Sequence, residues 1–340
     1  MNPLKFDEKV YAHKLNANEL GYRNGKPGGA GRFILVAKSC IGYFPPLSEV
    51  VLNDHVLIDV IPPFTDEIVL TNYIYHNSKY ATLDENEDRD EYRIYLNSKN
   101  DLDRDFYKPD DIVLFVKISE DEDFLYKIIH LKQDSKDYAK IESLITSFDT
   151  RRGSHALLDM KSLTFLTLLR KITIGKKVIP QEIIEESLKE QINHAPVTEE
   201  DKYDTTRVVR SKSFRDLVLY FYDFKCAITG KALFIDHKDF NNLEAAHLLA
   251  RASGGGSHPA NGMALERNLH WAFDKGFFTV NFDGNEYHVE VHKDAMRVPY
   301  LASKHGQKLL IPEDSRSRPN AESLKWHKEN VFGLFLKTEA

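Results

Sequence analysis

The sequence predicts an α+β protein of two domains, the first rich in strands and the second mixing helices with short strands. Residues 1 to about 150 hold short runs of Val, Ile, Tyr and Phe separated by Gly, Pro, Asn and Asp, as in barrels and sandwiches. After about residue 155 the apolar residues follow helical spacing instead. A chain of 340 residues is long enough for two separate cores.

The first half contains six predicted strands at short intervals. They are "RFILVAKSC", "HVLIDVI", "EIVLTNYIYH", "EYRIYLN", "DIVLFVKI" and "FLYKIIHL". Turn-forming residues such as those of "KPDD" separate them. We therefore expect an N-terminal β domain over residues 1–155, built as a barrel or a sandwich.

Helices are predicted in the second half. "MKSLTFLTLLRKI" has helical spacing, and "PQEIIEESLKEQIN" begins with Pro180 and has glutamates in its first turn. The polar stretch 193–206 indicates a linker, so residues 156–206 form a predicted helical connector. The domain 207–340 begins with a helix at Ser213 and ends with one capped by Asn320.

Composition excludes several classes of protein. No apolar run approaches the ~18 residues of a membrane span, and the first residues lack the apolar core of a signal peptide. Cys40 and Cys226 are the only cysteines and form no C-x-x-C pair, which argues against a disulfide framework. The net charge of -6 argues weakly against a nucleic-acid partner, but "RVVRSKSFR" concentrates positive charge locally.

The segment 244–276, "EAAHLLARASGGGSHPANGMALERNLHWAFDKG", carries the most specific pattern. It places His247, Asn261 and His270 around the glycine triplet 254–256. "LEAAHLLA" suits a strand and "LERNLHWAFD" suits a helix. A core does not need three glycines, whereas a loop that turns freely or approaches a ligand closely does.

This segment resembles the HNH nuclease family, whose finger is a strand, a strand and a helix around one metal ion. The resemblance runs from about 207 to 293 and includes the flanks "FRDLVLYFYDFKCAITG" and "HWAFDKGFFTV". By position it implies that His247 is the general base, that Asn261 orients this base and that His270 is a metal ligand. Asp274 lies one helical turn later on the same face, where it can be a second ligand.

The residue types suit phosphodiester hydrolysis. The reaction needs a base that is neutral near pH 7, which a histidine provides. It also needs positive charge beside the phosphate, and one Mg²⁺ or Mn²⁺ ion per active site supplies it.

Two departures from the family pattern concern the metal. Many family members carry Asp or His just before the base, where this chain has Ala246, so Glu244 is an alternative ligand. Many relatives also hold zinc with paired C-x-x-C motifs, whereas "CAITG" keeps Cys226 and has Thr229 at the second position. We therefore expect no structural zinc.

A second resemblance lies at residues 13–39, "HKLNANELGYRNGKPGGAGRFILVAKS". With "FPPLS" and "DEYRIYLNSKNDLDRDFYKPDDIVLFVK", it resembles the effector-binding N-terminal domain of EcoRII-type restriction enzymes. That resemblance implies a DNA-binding pseudobarrel that grips the major groove with two arms. The family has Asp where this chain has Glu19, and its His-Gln pair is absent, so the recognised sequence does not carry over.

Candidate DNA contacts follow from matching position and chemistry, since Arg, Lys and Asn commonly read base edges. The base-reading candidates are Asn18, Arg23, Lys26, Arg32, Arg93, Asn97 and Lys99. The candidates for phosphate contacts beside the nuclease segment are Arg207, Arg210, Lys212 and Arg215. The alternatives are turn chemistry for Asn18 and Gly21 and solvated charge for the rest, including the basic residues beside the nuclease segment.

Together these features predict a type II restriction endonuclease that cuts double-stranded DNA at a specific sequence. The resemblance implies a bacterial cytoplasmic protein paired with a cognate DNA methyltransferase. A palindromic site would favour a homodimer, because one HNH site cuts one strand.

Three alternatives stay open at this stage. A nuclease dependent on modified DNA would carry an aromatic pocket, for which "GYFPP" supplies aromatic residues. A non-cleaving DNA-binding regulator is favoured by Ala246. A nuclease acting on RNA or single strands is the third.

Overall fold

The computed structural model describes residues 4–28, 31–77, 90–120, 123–166, 172–190, 192, 204–233 and 241–336, without the side chains of 120, 123 and 204–208. The chain divides into two compact units. The first comprises Met1–Ile183 with Thr198–Arg210, and the second comprises Ile184–Val197 with Ser211–Ala340. It is a mixed α+β protein with a curled N-terminal sheet, a half-barrel, and a C-terminal unit that combines antiparallel hairpins with helices.

The first unit is built on one β-sheet. Its strands are β1 (Lys5–Lys14), β2 (Tyr22–Arg23), β3 (Lys26–Pro27), β4 (Phe33–Val36), β5 (His55–Ile61), β6 (Ile68–His76), β7 (Glu91–Tyr95), β8 (Ile112–Glu120), β9 (Asp123–Leu131), β10 (His155–Asp159) and β11 (Lys177–Val178). The order in the sheet is β10-β1-β8-β9-β5-β6-β7-β4, with β11 paired to β6. All six predicted strands are confirmed as β4 to β9. β2 and β3 form a separate hairpin.

Both faces of the central strands are buried, which explains the continuous apolar run of β8. Successive side chains point to opposite faces of a strand. Val113 and Phe115 therefore belong to one core, while Ile112 and Leu114 belong to the core on the other face. The second core is covered by helix α1 (Tyr138–Phe148), which contributes Ile141 and Ile145.

Aromatic side chains fill the core on one face of the sheet. Phe44 stacks on Tyr126 with ring centroids 5.0 Å apart and meets Tyr11 edge-on at 5.5 Å. The Tyr43 hydroxyl donates to the Phe115 carbonyl at 3.0 Å. The aromatic residues of "GYFPP" are thus buried in the core and do not line an open pocket for a base.

Three features of the first unit differ from the sequence-based expectation. β1 was not predicted, because its first half, "KFDEK", is polar and only its second half is buried. Helix α1 was not predicted either. "MKSLTFLTLLRKI" forms a short 3-10 helix over Met160–Leu163 rather than an α-helix, and its residues 167–171 lie outside the described part.

Short helices follow the half-barrel. Helix α2 (Gln181–Ser187) begins directly after Pro180, as expected for a proline before a first helical turn. Helix α3 (Asp204–Phe221) begins nine residues before the predicted start at Ser213. The predicted linker lies largely outside the described residues, and its last three residues are helical.

The described residues of the second unit form two hairpins and further helices. Its elements are β12 (Leu243–His247), β13 (Gly262–Glu266), α4 (Arg267–Asp274), β14 (Phe278–Phe282), β15 (Tyr287–Val291), α5 (Pro299–Ala302) and α6 (Ala321–Asn330). Asn320 caps α6 by accepting the Ser323 N–H at 2.9 Å, as predicted. No helix in the described part of the chain is long and apolar enough to cross a membrane.

Candidate active site

The strand, loop and helix expected around the three site residues are present. His247 is the last residue of β12 and lies opposite Gly262, the first residue of β13. Helix α4 begins directly after β13 and carries His270 and Asp274. A side chain at Gly262 would meet Phe214 Cζ at 2.8 Å, so the absence of one lets α3 pack against this end of the hairpin.

The tight loop that Asn261 holds together requires glycine at two positions of the triplet, Gly254 and Gly255. Gly254 adopts a left-handed backbone with φ of +91°. At Gly255 a Cβ would lie 1.9 Å from the Leu249 carbonyl oxygen, which leaves no space for a side chain. Asn261 donates to the carbonyls of Leu249 at 3.0 Å and Gly256 at 3.1 Å, and accepts the Leu249 N–H at 2.9 Å.

Asn261 therefore acts on the loop backbone. All of its side-chain hydrogen bonds go to the main chain of the loop, and it is wholly buried. It fixes the segment that directly follows His247 rather than bonding the imidazole itself.

His247 is held by an aromatic contact. Its ring stacks on Phe214 of α3 with centroids 3.9 Å apart and planes 17° from parallel. Burial lowers the pKa of His247 to about 4, and the positive charges of Arg251 and His270 lower it in the same direction. At neutral pH the imidazole is neutral and can accept a proton.

His270 lies between two carboxylates. Its Nδ1 is 2.6 Å from Glu244 Oε2, and its Nε2 is 3.3 Å from Asp274 Oδ2. Burial opposes protonation, but the hydrogen bonds and charges of Asp274 and Glu244 outweigh it and raise the pKa of His270. Arg267 extends the chain of contacts, since its Nε is 3.0 Å from Glu244 Oε1.

These groups suit a divalent cation only in part. Within the described ranges, no three His, Cys, Asp or Glu side chains form a set that could hold a metal ion as they stand. His270 Nε2 and Asp274 Oδ2 are close enough to be neighbouring ligands, because two ligands at about 2.1 Å from one ion at right angles are about 3 Å apart. Two protein ligands leave room for water and phosphate oxygens.

The two departures from the family pattern have structural consequences. Ala246 is wholly buried in the apolar core of the second unit, so no ligand comes from this position. Thr229, where relatives have the second cysteine of the pair, donates its hydroxyl to Glu266 at 2.6 Å. Cys226 is buried, and its backbone carbonyl accepts the N–H of Gly230 at 2.8 Å in a tight turn.

A comparison with protein-family models matches residues 226–281 to the HNH endonuclease family. Over these residues the chain is similar to an HNH endonuclease domain. One similar solved structure, the "Modification dependent TagI restriction endonuclease", aligns with 36% of this chain and 39% of its own at 20% identity and a TM-score of 0.28. The aligned part is under two fifths of that chain's length. A comparison with curated proteins finds no match.

Several candidate DNA contacts have structural partners in the half-barrel. Arg32 forms an ion pair with Asp101 at 2.6 Å, and both side chains are nearly buried. The Arg93 guanidinium lies 4.0 Å above the ring of Phe33 and pairs with Glu91. Asn97 accepts the Lys99 N–H at 2.9 Å, as in a turn. Arg32 and Arg93 are therefore packed and paired within the half-barrel and are not solvated charges, whereas Asn97 shapes a turn.

The basic residues of α3 differ from one another. Arg210 forms a nearly buried ion pair with Asp54 at 2.7 Å. Arg215 donates to Asn241 Oδ1 at 2.8 Å and to the Leu243 carbonyl at 3.2 Å, which fixes the start of β12. Lys212 is half-buried, and the side chain of Arg207 lies outside the described part.

The exposed candidates lie in or just before the hairpin Tyr22–Pro27 and in a later turn. Arg23 and Lys26 flank the turn Asn24–Gly25, where both residues have positive φ, 51° and 72°, as in a tight two-residue hairpin. Their side chains are exposed, as are those of Asn18 and Lys99.

Sequence reasoning missed two contributors to the HNH site. Phe214 lies 33 positions before His247, and an apolar residue in a predicted helix gives no sign that it packs on a distant imidazole. Glu244 was considered only as a ligand, whereas in the structure it bonds His270 Nδ1. Its position three residues before the base was the available signal.

Proposed function

We propose that the protein is a type II restriction endonuclease that cuts double-stranded DNA at a specific sequence, with His247 as general base. The observation that carries this is the neutral imidazole of His247 at the end of β12, within an HNH endonuclease match that also contains His270. HNH nucleases generally use a divalent metal ion.

In the proposed mechanism, His247 accepts a proton from the attacking water. A base with a low pKa is fully available at neutral pH, although its driving force for proton transfer is smaller than that of an ordinary histidine. Asn261 keeps the loop after His247 in shape by its three main-chain hydrogen bonds. A fixed loop holds the base at a constant distance from the phosphate.

His270 and Asp274 would hold one Mg²⁺ or Mn²⁺ ion. The bound ion would neutralise the charge that builds on the phosphate and the leaving oxygen. Glu244 orients the His270 ring through Nδ1, as carboxylates commonly do for metal-binding histidines. Arg267 holds Glu244 in turn.

DNA recognition is assigned to the half-barrel. The hairpin Tyr22–Pro27 presents Arg23 and Lys26 to solvent, and Asn18 and Lys99 are exposed. A homodimer with one active site on each strand, a paired DNA methyltransferase and a bacterial cytoplasmic location complete the proposal.

A cleavage assay tests the proposal. The full chain with Mg²⁺ or Mn²⁺ is incubated with methylated and unmethylated genomic DNA, and the fragment ends are sequenced. We expect defined ends that vanish with a chelator and with His247→Ala. Cutting of methylated DNA alone would replace the type II assignment by modification dependence. Binding without cutting would support the regulator, and preference for RNA or single strands would overturn the duplex substrate.

A further inference from the structure

The imidazole of His247 lacks the hydrogen bonds that usually orient a histidine. Within the described part of the chain, neither of its ring nitrogens is hydrogen-bonded to a protein group, and the aromatic ring that packs on it is that of Phe214. The charged and titratable groups that act on it are Arg251 from the loop, and His270 and Asp274 from α4. None of these three fixes its ring plane by a hydrogen bond.

A second stacked histidine in the same unit shows the contrast. His327 stacks on Phe273 with centroids 3.6 Å apart. Its Nε2 donates to the Phe273 carbonyl at 3.1 Å, and its Nδ1 lies 3.0 Å from the Thr279 hydroxyl. Both nitrogens are thus occupied, as in a structural histidine, whereas those of His247 are available for chemistry.

We propose that Phe214 is the positioning residue of the general base, holding the imidazole plane of His247 by stacking so that both ring nitrogens stay available. The inference rests on the proposed function, since it assigns Phe214 a role through His247.

The packing around Phe214 supports this role. Its side chain is 2% exposed, so the ring is fixed by the core of the second unit. Gly262, opposite His247 in the hairpin, has no side chain, and a Cβ there would lie 2.8 Å from Phe214 Cζ and 2.3 Å from Val218 Cγ2. The glycine therefore opens the space through which α3 reaches the base.

Stacking has a chemical advantage at this position. A hydrogen bond from a protein group to His247 would occupy one nitrogen, whereas a ring against its face restrains rotation and leaves both free. Phe214 also keeps water from that face, in line with the burial that lowers the pKa of the base.

The test compares Phe214→Leu with Leu219→Ala in the full-length protein. Leu219 is wholly buried in the same helix and the same core, and it makes no ring contact with His247. We expect Phe214→Leu to lower kcat by about ten- to hundredfold with the DNA Kd unchanged, because the base is misplaced. Leu219→Ala should lower stability with kcat nearly unchanged.

Nuclear magnetic resonance gives a readout that needs no cleavage. In protein with ¹³C-labelled histidine and no added metal, the His247 ring protons are assigned by their loss in His247→Ala. They should be shifted upfield by the Phe214 ring and return towards ordinary values in Phe214→Leu but not in Leu219→Ala. Should Phe214→Leu fail to fold, Phe214→Met gives the same comparison.

The outcomes separate the two proposals. Cleavage that survives His247→Ala overturns the proposed mechanism and this inference with it. If cleavage depends on His247 but Phe214→Leu matches Leu219→Ala in kcat, or leaves the His247 ring protons unmoved, only the positioning role is overturned.

Discussion

At the residue scale, the HNH site depends on what each histidine nitrogen binds. His270 has a carboxylate at each nitrogen, at 2.6 Å and 3.3 Å, whereas the nitrogens of His247 have no hydrogen bond among the described groups. A histidine that binds a metal is best oriented by a hydrogen bond to its other ring nitrogen. A histidine that acts as a base must keep one ring nitrogen available to accept a proton from water. The two roles therefore follow from surroundings and not from residue type.

The first prediction concerns the base. His247→Ala should lower kcat by about 10²- to 10⁴-fold, the usual contribution of a general base. Its DNA Kd should change little, because the imidazole acts in the transition state. Single-turnover cleavage and equilibrium binding measure the two effects. His258→Ala is the control, since His258 caps a 3-10 helix by accepting the Ala260 N–H. Wild-type kcat in His247→Ala would remove this residue from the mechanism.

The second prediction concerns the metal. In a calorimetric titration with Mn²⁺, His270→Ala should remove binding, and Asp274→Asn should weaken it by less. Glu244→Gln should weaken it about 10- to 100-fold, as for residues that orient a ligand. Glu286→Gln is the matched control, because Glu286 also lies beside a histidine, His288, at 3.4 Å. Unchanged Mn²⁺ affinity in Asp274→Asn would exclude this residue as a ligand.

The sequence predicted these site residues only as far as local spacing reaches. His247, Asn261 and His270 lie in one segment, so their order and flanks could be recognised. The stack of Phe214 depends on how α3 packs, and the Glu244–His270 contact depends on strand register. Neither is encoded in short-range spacing.

At the element scale, the loop between β12 and β13 gives the third prediction. Gly255→Ala should lower the free energy of unfolding by about 1–3 kcal/mol or more, because its Cβ would lie 1.9 Å from the Leu249 carbonyl oxygen. Thermal and denaturant unfolding measure this. Gly42→Ala is the control, since a Cβ there meets no atom within 4 Å. Equal stability of the two variants would contradict the loop geometry.

Helix α6 gives a prediction on pH. Burial lowers the pKa of His327 to about 4, despite the hydrogen bond to Phe273. In the unfolded chain its pKa returns to about 6.5, so the unfolded state binds more protons between pH 4 and 6.5. Stability should therefore fall by up to about 3 kcal/mol as pH drops through this window.

Denaturant unfolding at pH 7 and pH 5 tests this, with His327→Gln as the comparison. The variant loses the titrating group, so its stability should depend less on pH in this window. A difference between the two pH values that is the same in both proteins would assign the effect to other groups.

Elements were predictable where a repeating pattern was strong. Strands β4 to β9 carry β-branched and aromatic runs bounded by turn residues, and all six exist. β1 was not predicted, because its polar half breaks the strand pattern. The strand becomes evident only from its pairing with β8 and β10. The segment around the 3-10 helix Met160–Leu163 is the opposite case, because its helical spacing predicted an α-helix that does not form. Its apolar residues instead pack in the core that α1 covers.

At the scale of the whole molecule, the domain boundary decides whether a fragment of the chain keeps the strands of the first unit. A cut at residue 155 would remove β10, which pairs with β1 from Lys9 to His13. It would also remove β11, the partner of β6, and the ion pair of Arg210 with Asp54. The first unit extends to Ile183 and takes in Thr198–Arg210, so DNA binding is best assigned in the full chain.

The last prediction concerns which part of the chain recognises DNA, and it uses the full chain with His247→Ala so that binding occurs without cutting. Selection on random duplexes should enrich a motif. The double change Arg23→Ala with Lys26→Ala should weaken binding, because the hairpin Tyr22–Pro27 exposes both cations. If both side chains contact phosphates, the affinity for all duplexes falls alike, and the slope of log K against log salt falls by about 2. If one reads a base, the motif relaxes at one position at a cost of about 1–3 kcal/mol.

The control for this prediction removes the same charge elsewhere on the half-barrel. Lys5→Ala with Lys161→Ala changes two exposed lysines, and Lys5 lies at the end of the ten-residue β1 that is opposite to the end leading into the hairpin Tyr22–Pro27. Ten residues of strand span about 30 Å, which exceeds the screening length of about 8 Å at physiological salt. The control should therefore keep both the motif and the affinity. If the two double variants behave alike, or if the variant with Arg23→Ala and Lys26→Ala keeps the motif at full affinity, recognition lies outside the hairpin.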